Sequence, residues 1–74
     1  MDAKDAVNIT TEKVLEEALK RIEEEAKKGE DHIGFFYVSS EELGVKIGKE
    51  LNKKGYKTEV SCGEGVEFYL EIRW

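Results

Sequence analysis

The side chains best suited to nucleophilic catalysis in this 74-residue chain are its single cysteine, Cys62, and its single histidine, His32. A thiol nucleophile needs a base within hydrogen-bond reach. His32 begins a predicted first strand, and Cys62 ends a predicted second strand that runs parallel to it. At about 3.3 Å per strand residue, this arrangement separates the two side chains by roughly 20 Å. We therefore expect no catalytic dyad, with Cys62 as a small core residue near a hairpin and His32 at a strand edge.

Other common chemistries find little support in the residue pattern. A zinc site needs three or four convergent ligands, which one histidine and one cysteine do not supply. No glycine-rich loop joins a strand to a helix to hold phosphate, because that junction reads Val38-Ser39-Ser40-Glu41-Glu42. Glu67 and Glu71 share a strand face but lie about 13 Å apart, too far for glycoside hydrolysis. The sequence predicts no catalytic residue, no metal and no cofactor, and a small enzyme is the least supported alternative.

Length, charge and cysteine content limit the classes of protein. Residues 1–74 are expected to form a single small domain, near the lower limit for a self-sufficient core, so a homo-oligomer is expected. The net charge of −5 argues against DNA or RNA as a partner. No apolar run approaches the ~20 residues that span a bilayer, and no signal peptide precedes the first predicted helix. A lone Cys62 permits no internal disulfide, which favours a cytoplasmic location.

Two helices are predicted. The first runs from about Ala3 to Lys28, with Asp2 as its N-cap and apolar residues at steps of three and four. The low-propensity run Asn8-Ile9-Thr10-Thr11 leaves two alternatives for residues 1–11, a separate N-terminal arm or the first turns of this helix.

The second helix is predicted to begin at Ser39, in a capping box with Glu42, and to end at Gly55. Gly44 and Gly48 lie beside its apolar stripe at a spacing of four. Glycine costs about 1 kcal/mol relative to alanine inside a helix, so this pair indicates tight packing of the helix on a sheet.

Three strands are predicted, over His32 to Val38, Tyr56 to Cys62 and Val66 to Trp74. The last alternates most clearly, and the residues expected to face the core are Val66, Phe68, Leu70, Ile72 and Trp74. The first is apolar on both faces, with Ile33, Phe35 and Tyr37 on one and Phe36 and Val38 on the other. A strand of this kind is expected to be covered on both sides.

The element order is therefore α-β-α-β-β, an α+β fold. Gly63-Glu64-Gly65 is expected to join the last two strands as a hairpin. The last and most apolar strand takes the centre of a three-stranded sheet of order 1-3-2, and both helices cover one face of it.

The outward face of this sheet is the candidate recognition surface, because Tyr and Arg are over-represented at interface hot spots. The candidate binding residues are Tyr69, Arg73, Lys57 and Phe36, although the outward aromatic of the first strand could equally be Phe35. An ordinary solvated sheet face is the alternative. Between residues 46 and 57, five lysines against one glutamate suggest either a solvated helix face or a small patch for an anionic ligand.

Three segments carry a resemblance that spans nearly the whole chain. They are Met1-Asp2-Ala3-Lys4-Asp5-Ala6, the L-x-x-x-G-Y-x-x-x-V run from Leu51 to Val60, and the L-x-I-x-W run from Leu70 to Trp74. The chain resembles small, uncharacterised bacterial and bacteriophage-encoded α+β proteins with an acidic N-terminal helix. The resemblance implies a phage protein that acts against host defence in the host cytoplasm, by sequestering a nucleotide immune signal or by binding a host protein. It supplies no catalytic residues.

The chain also resembles computationally designed α/β proteins, because it has no proline and its helices are rich in Glu and Lys. Gly44, Gly48 and the free Cys62 depart from idealised design practice. The leading hypothesis is a natural, non-enzymatic binding protein, and a stable scaffold without a natural ligand is the first alternative.

Overall fold

The computed structural model describes residues 1–63, 65 and 67–74, and their elements follow the predicted order. The elements are helix α1 (Ala3–Lys27), strand β1 (His32–Val38), helix α2 (Glu41–Lys53), strand β2 (Lys57–Cys62) and strand β3 (Phe68–Arg73). Strand β3 pairs antiparallel with both neighbours, which gives the sheet order β1-β3-β2. The predicted α+β fold and 1-3-2 order are confirmed. The predictions for Glu64 in the hairpin loop and for Val66 in the last strand lie outside the described residues.

Helix α1 is continuous over 25 residues. The Asp2 carboxylate accepts from the Asp5 backbone N–H at 3.0 Å, which caps the first turn as expected. The Thr10 and Thr11 hydroxyls donate to the carbonyl oxygens one turn earlier, at 3.0 and 2.9 Å. Residues 3–11 are therefore the first turns of the helix and not a separate arm. Residues 3–10 are exposed, and the helix meets the core from Val14 and Leu15 onward, with Ala18 as its first fully buried residue.

Helix α2 begins one residue later than predicted. Ser40 is the N-cap, and its hydroxyl accepts from the Leu43 backbone N–H at 3.1 Å. Ser39 lies in the bend between β1 and α2, and the third helical residue is Leu43. The predicted capping box between Ser39 and Glu42 is therefore wrong, because Glu42 stands one position too early to reach the cap.

The core lies between the two helices and one face of the sheet. Both helices and strands β1 and β3 contribute its buried side chains, which are Ala18, Ile22, Ile33, Ile47, Leu51, Leu70 and Ile72. Gly44 and Gly48 are buried where α2 crosses the sheet, as their spacing predicts. A Cβ on Gly48 would lie 2.9 Å from Thr58 Oγ1 and one on Gly44 would lie 3.2 Å from a Val38 methyl, so the missing side chains permit the close approach.

A β-bulge in β1 changes which of its residues face the core. Ile33 pairs with Ile72 and Phe36 pairs with Leu70, so three steps along β1 match two along β3. Ile33 and Phe36 consequently both face the helices, whereas Phe35 points to the other side with Tyr37. The prediction that grouped Ile33 with Phe35 and Tyr37 was wrong, because it assumed an uninterrupted alternation.

The last residue, Trp74, is tied to the body of the protein. Its backbone N–H donates to the Asp31 carbonyl at 3.0 Å, and its ring meets Tyr56 edge-on at 6.4 Å. The side chain is still 38% exposed, so Trp74 lies at the rim of the molecule and not in the core. Strand β3 itself ends at Arg73.

We predict that Ser40→Ala lowers the free energy of unfolding by about 1 kcal/mol, since the Leu43 amide loses its hydrogen-bond acceptor. Ser39→Ala is the matched control and should change stability by much less. Urea unfolding followed by circular dichroism measures both. Equal losses, or a larger loss for the Ser39 variant, would contradict the assigned helix start.

Candidate functional site

The face of the sheet opposite the two helices, here called the open face, carries three groups of side chains. The cross-strand register places them in successive positions along the strands. We call them the aromatic cluster (Phe35, Tyr37, Tyr69), the acidic pair (Glu59, Glu71) and the basic row (His32, Arg73, Lys57). In the described part of the chain, no helix or strand packs over them.

The aromatic rings contact one another and water. Phe35 meets Tyr69 edge-to-face with centroids 4.9 Å apart, and it lies nearly parallel to Tyr37 at 6.4 Å. Such pairs contribute about 0.5–1.5 kcal/mol beyond their area burial. Even so, Phe35 is 59% exposed and Tyr37 is 63% exposed. Contiguous exposed aromatic side chains of this kind mark interaction sites more often than isolated ones do.

The acidic pair lies at the middle of the open face, where Glu59 is directly opposite Glu71 on the neighbouring strand. Like charges in that position repel. Arg73 relieves the repulsion, since its Nε donates to Glu71 Oε1 at 2.7 Å and its Nη2 contacts the same oxygen. Glu59 makes no ion pair among the described residues.

The basic row runs across all three strands, because His32 pairs with Arg73 and Arg73 pairs with Lys57. His32 Nδ1 lies 2.8 Å from Asp31 Oδ1. This hydrogen bond raises the pKa of His32 above its ordinary value and lowers the pKa of Asp31. Within the described residues Lys57 has no carboxylate partner.

The basic row borders a shallow depression of about 540 Å³ at this end of the sheet. Asp31, Glu71, Gly55 and Trp74 complete its lining. The depression combines cations, carboxylates and an aromatic rim, so it suits a small polar ligand better than an apolar one.

Three of the four predicted binding residues lie on the open face. Tyr69 belongs to the aromatic cluster, whereas Arg73 and Lys57 belong to the basic row, about 14 Å away along the strand at about 3.4 Å per residue. Phe36 does not join them, because it packs against the core, and the bulge gives the outward position to Phe35.

Sequence reasoning missed Tyr37 and His32 as members of this surface. The available signal for Tyr37 was Gly34, since a glycine inside a strand often marks a bulge.

The five lysines between residues 46 and 57 do not form one patch. Lys46 pairs with Glu42 and Lys53 pairs with Glu50, both on α2. Lys57 is on the open face, on the other side of the sheet from α2. The lysines of α2 therefore fit a solvated helix face, and Lys57 belongs to the basic row.

Cys62 and His32 are far apart, as predicted. Cys62 pairs with Phe68 and His32 with Arg73, at opposite ends of β3, which gives roughly 17 Å along the strand. Cys62 is exposed, so its predicted place in the core was wrong: it is the last residue of β2, beyond the cover of the helices. Among the described residues, no three His, Cys, Asp or Glu side chains converge to hold a metal.

No protein-family model matches the chain, and no curated protein or solved structure is significantly similar to it. Neither of the described helices is both long enough and apolar enough to cross a membrane.

We predict that Asp31→Asn lowers the pKa of His32, because the neutral amide no longer stabilises the imidazolium. The pair stabilises the fold below the unfolded-state pKa of His32, and the effect is lost as the pH rises through the higher folded-state pKa. An NMR titration of the His32 ring protons measures this, with Asp5→Asn as a control distant in sequence. A His32 that titrates identically in both variants and in the native protein would contradict the assigned pair.

Proposed function

We propose that this chain is a non-enzymatic binding protein that recognises its partner through the open face of its sheet. The observation that carries the proposal is the exposed aromatic cluster on a sheet face left uncovered in the described part of the chain. Exposed aromatic surface is costly in water, and a partner that covers it recovers that free energy. Interfaces are enriched in Tyr, Phe and Arg, which are the residue types found there.

The resemblance to phage-encoded proteins supports a role against host defence in the host cytoplasm. It leaves the partner as either a host protein or a nucleotide signal. The exposed aromatic cluster suits a protein surface, whose side chains can cover the rings. The charges suit a polar rim, which surrounds the apolar centre of most interfaces.

A second copy of the chain is also part of the proposal. A domain of this length has a small core, and association is a common source of additional stability. The aromatic cluster lies at one end of the open face and the basic row at the other, with the acidic pair between them. Contact between the aromatic clusters of two copies would bury the exposed rings and leave the basic row uncovered. Such a contact uses the same surface on both copies, as an isologous dimer requires.

The double variant Phe35→Ser, Tyr37→Ser tests the recognition surface. These side chains contribute little to the buried core, so the variant should fold, and a melting curve verifies that it does. Host-protein candidates, followed by calorimetry, and nucleotide candidates, followed by thermal shift, should bind it at least about tenfold more weakly than the wild type.

Val45→Ser is the matched control, because Val45 is an exposed apolar residue on α2. It should leave binding unchanged. A partner that binds the double variant as tightly as the wild type would overturn the open face as the recognition surface.

Light scattering tests the self-association. The wild type at high micromolar concentration should have a mass above one chain, and Tyr37→Ser should return it towards one chain. A wild type that remains a single chain under these conditions contradicts the second copy as a partner. A mass unchanged by Tyr37→Ser would place the contact on another surface.

A further inference from the structure

We propose that the basic row binds the phosphate group of a small aromatic phosphate ester, which is the chemistry of a nucleotide. The inference rests on the proposed function, and it names the ligand chemistry for one end of the open face. Three observations support it: the spacing of the cations, the way in which carboxylates orient them, and the ring at the rim of the depression.

The spacing follows from the register. His32, Arg73 and Lys57 occupy directly neighbouring positions on three adjacent strands. Strands lie about 4.8 Å apart, so the row is roughly 10 Å wide. The long side chains of Arg73 and Lys57 let three donors converge from this width on the three terminal oxygens of a phosphate monoester, whereas a carboxylate offers only two oxygens.

Two of these cations are hydrogen-bonded to carboxylates, and each keeps N–H donors that those carboxylates do not use. Glu71 takes Arg73 Nε and Nη2, which leaves Nη1 unpartnered within the described residues. Asp31 takes His32 Nδ1 and leaves Nε2. Donors fixed before a ligand arrives lose less conformational entropy when they bind it. The hydrogen bonds to an ionised phosphate are also stronger than those between neutral groups.

Charge favours an anion at this position. With His32 protonated, three cations face two carboxylates around the depression, a local charge of +1 on a chain whose net charge is −5 when its histidine is neutral. His32 lies directly opposite Arg73 and is hydrogen-bonded to Asp31, so the charges of both neighbours belong to the site.

The rim supplies a surface for a ring. Trp74 lines the same depression as the basic row and is 38% exposed. One edge contact with Tyr56 supports the ring from the side of the protein. Stacking of a base on an aromatic side chain contributes about 1–3 kcal/mol. A phosphate ester with a planar ring can use both the cations and Trp74, which inorganic phosphate cannot.

The test is an NMR titration of the full chain with inorganic phosphate, adenosine monophosphate and adenosine. We expect shifts centred on His32, Lys57 and Arg73 for both phosphates, tighter binding of the nucleotide, and no saturable binding of adenosine. Lys57→Gln should weaken nucleotide binding about tenfold, the usual loss for one hydrogen bond to a charged group. Lys49→Gln, an exposed lysine on α2, is the matched control and should leave it unchanged.

Three results would overturn the inference. The first is the absence of NMR shifts with either phosphate up to about 10 mM, a concentration at which even millimolar binding would be seen. The second is a set of shifts centred on the α2 lysines. The third is an equal loss of nucleotide affinity in the Lys57→Gln and Lys49→Gln variants. If phosphate binding fails while the Phe35→Ser, Tyr37→Ser variant still loses its partner, only this inference falls. If the Phe35→Ser, Tyr37→Ser variant binds both phosphate and its partner as the wild type does, the phosphate site stands and the proposed function is overturned.

Discussion

The burial of one face of β3 is the constraint on which the rest of this structure depends. Leu70 and Ile72 are fully buried beneath both helices, so their neighbours along the strand must point the other way. Because β3 pairs with both other strands, it also fixes the position of every residue across the sheet. A shift of one residue would exchange the buried and exposed sets. The helices therefore determine the composition of the open face without touching it.

This dependence explains why the open face is ordered by type. Tyr69, Glu71 and Arg73 follow one another at every second position of β3, and each sets the row that crosses the neighbouring strands. Close helix packing at Gly44 and Gly48 holds β2 in place beneath α2. Local ion pairs then orient the charged side chains, and one of these pairs, Arg73 with Glu71, lies near the centre of the open face. Exposed ion pairs contribute little to stability, so their main effect here is to orient side chains.

The fold could be predicted from the sequence because its signals are repeated along whole elements. The alternation from Phe68 to Arg73 and the apolar stripe of α1 each depend on several residues, so no single exception changes the result. The errors arose where one residue decides the geometry. The bulge beside Gly34 reversed the faces of Phe35 and Phe36, and the choice between two adjacent serines moved the start of α2. Cys62 lies on the face of β2 that the alternation predicts, but it is beyond the part of the sheet that the helices cover. The alternation of a strand does not indicate how far the helices extend over it.

The bulge in β1 has a further consequence for how the protein behaves among its own copies. β1 forms one border of the sheet, and its Phe-Phe-Tyr-Val run has the composition that favours strand-to-strand assembly into fibrils. An irregular border is a poor template for another strand, since its free amides and carbonyls no longer match a regular ladder. The same extra residue that turns Phe35 outward thus interrupts the backbone pattern that an added strand would need. The bulge therefore makes β1 a poor template for an added strand while it turns Phe35 outward.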